Sequence, residues 1–218
     1  MKTLRFNKNR QGFTLVELLV AMVMGLVVLG AVLNIFIHQN RTNAVQQEVA
    51  YAQQNVRGAV SIMAREIRAA GQDPQGGGFT PVATATGTSI RIRADYSDPN
   101  SDGKIEGDGD AADLGEDVTY AVNGSSQLTK DDANDAQPAY AIVDFVNSLQ
   151  FIYTFADGGT GVPDETDGDS TNDLADIRSV TVQLQVSTEN PDPNTGQFRT
   201  RTLVNTVRIR NVGFQDLE

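Results

Sequence analysis

Gly12-Phe13-Thr14-Leu15-Val16-Glu17-Leu18-Leu19 opens an apolar run that continues to Ile37. Ahead of it stand Lys2, Arg5, Lys8 and Arg10, with no acidic residue among them. As a helix, residues 13–37 cover about 37 Å, enough to cross a bilayer core with some tilt. Glu17 is the one charge within the run. A charge in a membrane helix costs about 2.5–3.5 kcal/mol on insertion scales, so Glu17 is read as functional. The four basic residues belong on the cytoplasmic side, which sends the rest of the chain across the membrane.

A secretory signal peptide has a 7–15-residue apolar core and is cut after it, at small residues. Here the apolar run is longer, and Gly12 stands before it. The order Gly-Phe-Thr-Leu-x-Glu resembles the N-terminal signature of type IV prepilins and pseudopilins. The resemblance implies that prepilin peptidase cuts between Gly12 and Phe13 and that Phe13 is then N-methylated. It also implies that Glu17, the fifth residue after the cut, serves subunit assembly by neutralising the N-terminal amine of a neighbouring subunit. Such a cut removes the basic leader, residues 1–12, and keeps the helix. The new amine lies about one turn from Glu17, and both the amine and the helix N-terminus favour a negative charge there. The competing reading is an uncut signal anchor with a tolerated Glu, as in a single-span periplasmic sensor or enzyme.

The chain has 218 residues, 206 without the leader, and no cysteine. About 150 residues follow the N-terminal helix, enough for one domain with its own core. No disulfide can staple that domain, unlike the C-terminal loop of many pilins. The net charge of −11 becomes −15 once the four basic leader residues are removed. The excess is local: residues 95–176 hold 20 Asp or Glu against Lys104 and Lys130. Such a surface repels phosphates, so no direct nucleic-acid binding is expected.

Past the membrane segment, Val45, Val49, Ala52, Val56, Val60, Met63, Ile67 and Ala70 recur every three or four residues. That spacing predicts an amphipathic continuation of the helix over 38–71, with Gly71 as its C-cap and Pro74 just beyond. The stripe must pack on a sheet or on other subunits, because such a helix is marginal alone. Residues 72–218 form the β-rich domain. Residues 72–88 read as a loop. Alternation predicts strands at 89–93, at 117–122 with a turn at Asn123-Gly124 and return at 127–130, at 149–155 after a short helical turn from Val143, at 177–186 and at 200–209. The fold class is α+β: a long N-terminal helix on an antiparallel sheet with elaborated acidic loops. The aromatic residues Phe145, Phe151, Tyr153 and Phe155 are expected in the core.

Further phrases narrow the resemblance. They are Gly25 to Gly30, Ala64-Arg65-Glu66-Ile67-Arg68 with Gly71, Val146 to Tyr153, Asp176 to Leu184, and Val207-Arg208-Ile209-Arg210-Asn211. Together they are similar to the PilW family of minor pilins, over most of the chain but weakly between 95 and 140. The J-type pseudopilin of type II secretion shares the N-terminal signature and is the nearest alternative. The resemblance implies a single-pass inner-membrane protein with a periplasmic domain that passes into a pilus. Its partners would be prepilin peptidase, other minor pilins, the major pilin and the inner-membrane assembly platform. The role implied is priming or supporting pilus assembly at or near the tip, with no enzymatic activity.

One loop suggests a cation. Asp98, Asn100 and Asp102 fall at the first, third and fifth places of a calcium loop, with Gly103 at the tight turn and the Lys104 carbonyl at the seventh place. Glu106 and Asp108 extend the set, but Gly109 holds the twelfth place where an EF-hand has Glu. The alternative is a solvated acidic loop. Asp164, Asp167, Asp169 and Asp173 form a second cluster with poorer spacing. Calcium-ordered loops on a pilus would make this chain an adhesin, a third reading of its function. His38 is the single histidine, at the end of the apolar run, and no nucleophile–base set or P-loop is present.

Overall fold

The computed structural model describes residues 12–96, 106–166 and 171–212. The chain divides into two compact units, Met1–Gln46 and Gln47–Glu218.

Helix α1 (Leu15–Ala69) begins in the first unit. Large apolar side chains from Phe13 to Ile37 are exposed there on every side of the helix. A helix apolar all round is made for lipid or for the interior of an assembly. Gly25 and Gly30 lie in unbroken helix, and a Cβ at either would meet nothing within 4 Å. Nothing among the described residues therefore demands glycine at these places. The side chains of Asn34 and Thr42 turn back and donate to the carbonyls of Gly30 and His38, each at 2.9 Å. This satisfies their polar groups within the helix itself.

In the second unit α1 buries Ala52, Val56, Ala59, Val60, Met63, Ala64 and Ile67. Ala59 and Ala64 widen the expected stripe, while Val49 is only half-buried. Gly71 ends the helix at φ +75°, as a C-cap requires. The free carbonyls of the last turn are then met from the far end of the chain. Asn211 donates its side-chain amide to Ala69 O at 3.1 Å and Ala70 O at 3.3 Å, and Arg210 N donates to Arg68 O.

The strands are β1 (Val82–Ala85), β2 (Ser89–Arg93), β3 (Asp117–Val122), β4 (Leu128–Asp132), β5 (Tyr140–Val143), β6 (Val146–Phe155), β7 (Thr160–Gly161), β8 (Ile177–Ser187) and β9 (Thr200–Arg208). They make two antiparallel sheets, of order β1-β2-β3-β4-β5 and β7-β6-β8-β9. Ile90, Ile92, Val118, Tyr120 and Leu128 from the first sheet share one core with Leu149, Phe151, Tyr153, Val180, Val182 and Leu184 from the second. The helix stripe belongs to the same core. The fold is α+β, a long helix on antiparallel sheets.

Four expectations need correction. Two sheets replace the single sheet, and the strand of Leu149 to Phe155 starts at Val146 without a helical turn before it. Val143 ends β5, paired to β4, and Val146 starts β6, paired to β8. The switch is made at Phe145, at φ +58°, a region bulky residues rarely occupy. Phe145 is consequently half exposed rather than core, and its ring lines a cavity of about 350 Å³ with Tyr51 and Val186. Residues 72–88 are not all loop, since β1 pairs with β2 there. The expected hairpin of β3 and β4 is present, its turn running on past Asn123-Gly124. Val122 pairs with Leu128, the Asn123 side chain accepts from Ser125 N and Gln127 N, and Ser126 takes the positive φ of 57°.

Candidate processing and assembly site

Thr14 and Glu17 cap the start of α1 reciprocally. Glu17 Oε2 accepts from Thr14 N and from Thr14 Oγ1, both at 2.9 Å, and Glu17 N donates to Thr14 Oγ1 at 3.2 Å. This is a capping box, in which the first turn's spare N–H groups find side-chain partners. The Thr-x-x-Glu spacing signals such a box from sequence, and that signal was missed. Sequence reasoning assigned Glu17 a charge and no local partner. The box holds the carboxylate beside the helix N-terminus, next to Phe13. Phe13 is 86% exposed, and a Cβ on Gly12 would meet nothing within 4 Å. Among the described residues nothing crowds the Gly12–Phe13 bond.

Around Asp95 and Glu116 the acidic segments are organised by inward hydrogen bonds. Asp95 is buried and accepts from Asp108 N and Gly109 N, each at 3.0 Å, while its own N–H donates to Gln72 O. Gly107 has φ +69°, and a Cβ there would fall 2.3 Å from Asp95 Oδ2. The segment after Glu106 is therefore moulded around Asp95. Asp108 accepts from Asp110 N within the same loop. Buried Glu116 accepts from Tyr96 N at 2.6 Å and Asp113 N at 3.0 Å. Burial holds its carboxyl above the usual range despite those two bonds.

Of the calcium-loop residues, Asp98, Asn100, Asp102 and Lys104 lie outside the described residues, as do Asp167 and Asp169 of the second cluster. Asp164 accepts from Thr166 N and Thr166 Oγ1, and Asp173 lies before a short 3₁₀ turn at Leu174–Asp176. Among the described residues no group of three or more His, Asp or Glu side chains is placed to hold a metal ion.

Ion pairs tie the β-rich unit together. Asp117 receives a two-bond fork from Arg91 at 2.6 and 2.7 Å, and a third bond from Arg93 at 2.9 Å. Glu66 of α1 accepts from Lys130 Nζ at 2.8 Å and from Tyr120 Oη at 2.5 Å.

A family model described as the prokaryotic N-terminal methylation motif matches residues 7–33. The match contains Gly12, Phe13, the capping box and the apolar start of α1. No curated protein matches the chain. By this motif the chain is similar to type IV pilins and pseudopilins, and the α+β fold is consistent with that class. The motif implies processing by prepilin peptidase and assembly with filament components. Helix α1 is long and apolar enough to make a single membrane crossing.

Proposed function

We propose that this chain is a minor type IV pilin of the PilW kind, which primes or supports pilus assembly at or near the tip. One observation carries the reading: a methylation motif runs straight into a capped helix whose apolar side chains are exposed on every side. A signal anchor needs no Glu at this place, whereas a subunit that passes from lipid into a filament needs both surface and charge. Cleavage falls between Gly12 and Phe13, and Phe13 carries the methyl group. Glu17, held in its capping box, presents a carboxylate to the N-terminal amine of a neighbouring subunit. The acidic 95–176 region supports a minor role, since a shaft repeated many times over favours a compact, less charged outer face.

The test is the N-terminal peptide, measured by mass spectrometry in cells with and without prepilin peptidase. A peptide starting at N-methylated Phe13, seen only with the peptidase, is expected. An N-terminus at Met1 in both strains would overturn the reading. Deletion of the gene should lower pilus number. Loss of type II export with normal piliation would identify a J-type pseudopilin instead.

A further inference from the structure

Strand β9 is the open edge of the second sheet. Its register with β8 is continuous from Ser179↔Arg208 to Ser187↔Thr200, without a bulge. Ile209 N donates to Arg178 O, and Thr188 N to Arg199 O. The odd-numbered residues of β9 therefore face β8, and the even-numbered ones turn their N–H and C=O outward. Among the described residues, the N–H groups of Thr202, Val204, Thr206 and Arg208 have no partner. The strand is nine residues long, and proline, a common protection for edge strands, is absent from it. Val204 is 55% exposed on it.

Charge says what the edge takes. The chain is strongly acidic, yet among the described residues the two arginines of β9 have no acidic partner. Arg201 Nε is enclosed and without a hydrogen-bond partner, and Arg201 donates only to the carbonyl of Thr200. Arg208 pairs with no carboxylate among the described residues. Arg199, by contrast, is held by Asp192 at 2.6 Å. A second copy of β9 is a poor occupant. β9 carries no Asp or Glu, so a second copy would bring no carboxylate to either arginine.

We propose that the outer edge of β9 receives an extended, acidic strand from a neighbouring polypeptide of the same assembly. Its backbone pairs with Thr202, Val204, Thr206 and Arg208, and its carboxylates meet Arg201 and Arg208. This rests on the filament reading for where the neighbour is found. Backbone pairing supplies the affinity in such strand addition, and the arginines select the partner.

Proline separates this from a general effect. Because Val204 N–H points outward, Val204→Pro removes no bond within the sheet, and an edge strand tolerates it. Full-length chains carrying Val204→Pro, Val204→Ala, or Arg201→Gln with Arg208→Gln would be expressed in piliated cells. Sheared filaments are then quantified, with circular dichroism of the purified proteins as the fold control. Val204→Pro is expected to lower recovery about tenfold, the weight of one lost hydrogen bond at about 1.4 kcal/mol, and Val204→Ala to leave it unchanged. The double arginine variant should also fall. Hydrogen exchange of the wild-type chain gives a readout free of any folding defect: the four outward amides should slow on assembly. Equal recovery of Val204→Pro, or unchanged exchange at those amides, overturns the proposal. Wild-type protein absent from filaments altogether would sink the filament reading, and this proposal with it.

Discussion

Glu66 and Lys130 meet at 2.8 Å with both side chains largely shielded from water, joining α1 to the first sheet. Tyr120, the cross-strand partner of Lys130, donates to the same carboxylate. Breaking such a pair leaves a charge without its counter-ion in a poorly hydrated place, which costs more than the pair contributes. Lys130→Met should destabilise the chain by about 3 kcal/mol in denaturant unfolding. Combining it with Glu66→Gln should recover part of that loss, since no charge is then stranded. A double variant less stable than the single one would refute this account.

Asp117 gives the fold an acid limit. Burial pushes its carboxyl up, but the hydrogen bonds from Arg91 and Arg93, aided by their charges, outweigh this and hold it below its ordinary 3.8. A carboxyl depressed in the folded state contributes stability at pH values above its unfolded value. That contribution is lost as pH falls from about 3.8 through the lower folded value. Stability measured against pH should therefore drop in that range, and Asp117→Asn should flatten the drop while lowering stability at neutral pH. An unchanged acid limb in the variant would exclude Asp117 as its source.

Gly71 is a narrower test of the helix end. At φ +75° a side chain costs about 1–2 kcal/mol, and the Cβ of alanine would stand 2.8 Å from Pro81 Cγ. Gly71→Ala should destabilise by at least that amount. Asn211→Ala should cost about 1 kcal/mol, the weight of its bonds to the last carbonyls of α1. Thermal unfolding of both variants checks the pair.

These cases show where sequence was enough. The helix stripe, Gly71 and six strand segments follow from period and turn chemistry, because burial on one face leaves a repeating signature. Asn211 could be quoted as part of a family phrase, but its capping role could not be read, since it depends on meeting Ala69 across the whole domain. The division into two sheets was hidden for a similar reason. Phe145 takes a conformation that glycine or asparagine would announce, and phenylalanine does not. Strands β1, β5 and β7 are two to four residues long, too short for alternation to mark them. At the N-terminus the position of Glu17 was legible, whereas its bond to Thr14 was overlooked although Thr-x-x-Glu spells it.

That bond allows the two roles of Glu17 to be separated. Gln at the third helical position can still close a capping box, so Glu17→Gln keeps the local geometry and removes the charge. Thr14→Val does the reverse: it removes the hydroxyl from the box and keeps the carboxylate. If Glu17 served only to start the helix, Thr14→Val would be the more damaging change and Glu17→Gln nearly silent. The proposed pairing with a neighbour's amine predicts the opposite. Glu17→Gln should abolish recovery in sheared filaments, whereas Thr14→Val should leave most of it, at a helix cost of about 1 kcal/mol. Both variants should still be cut after Gly12, and the Phe13 peptide measures that independently. Glu17→Gln protein recovered in filaments at wild-type levels would reduce Glu17 to a helix cap.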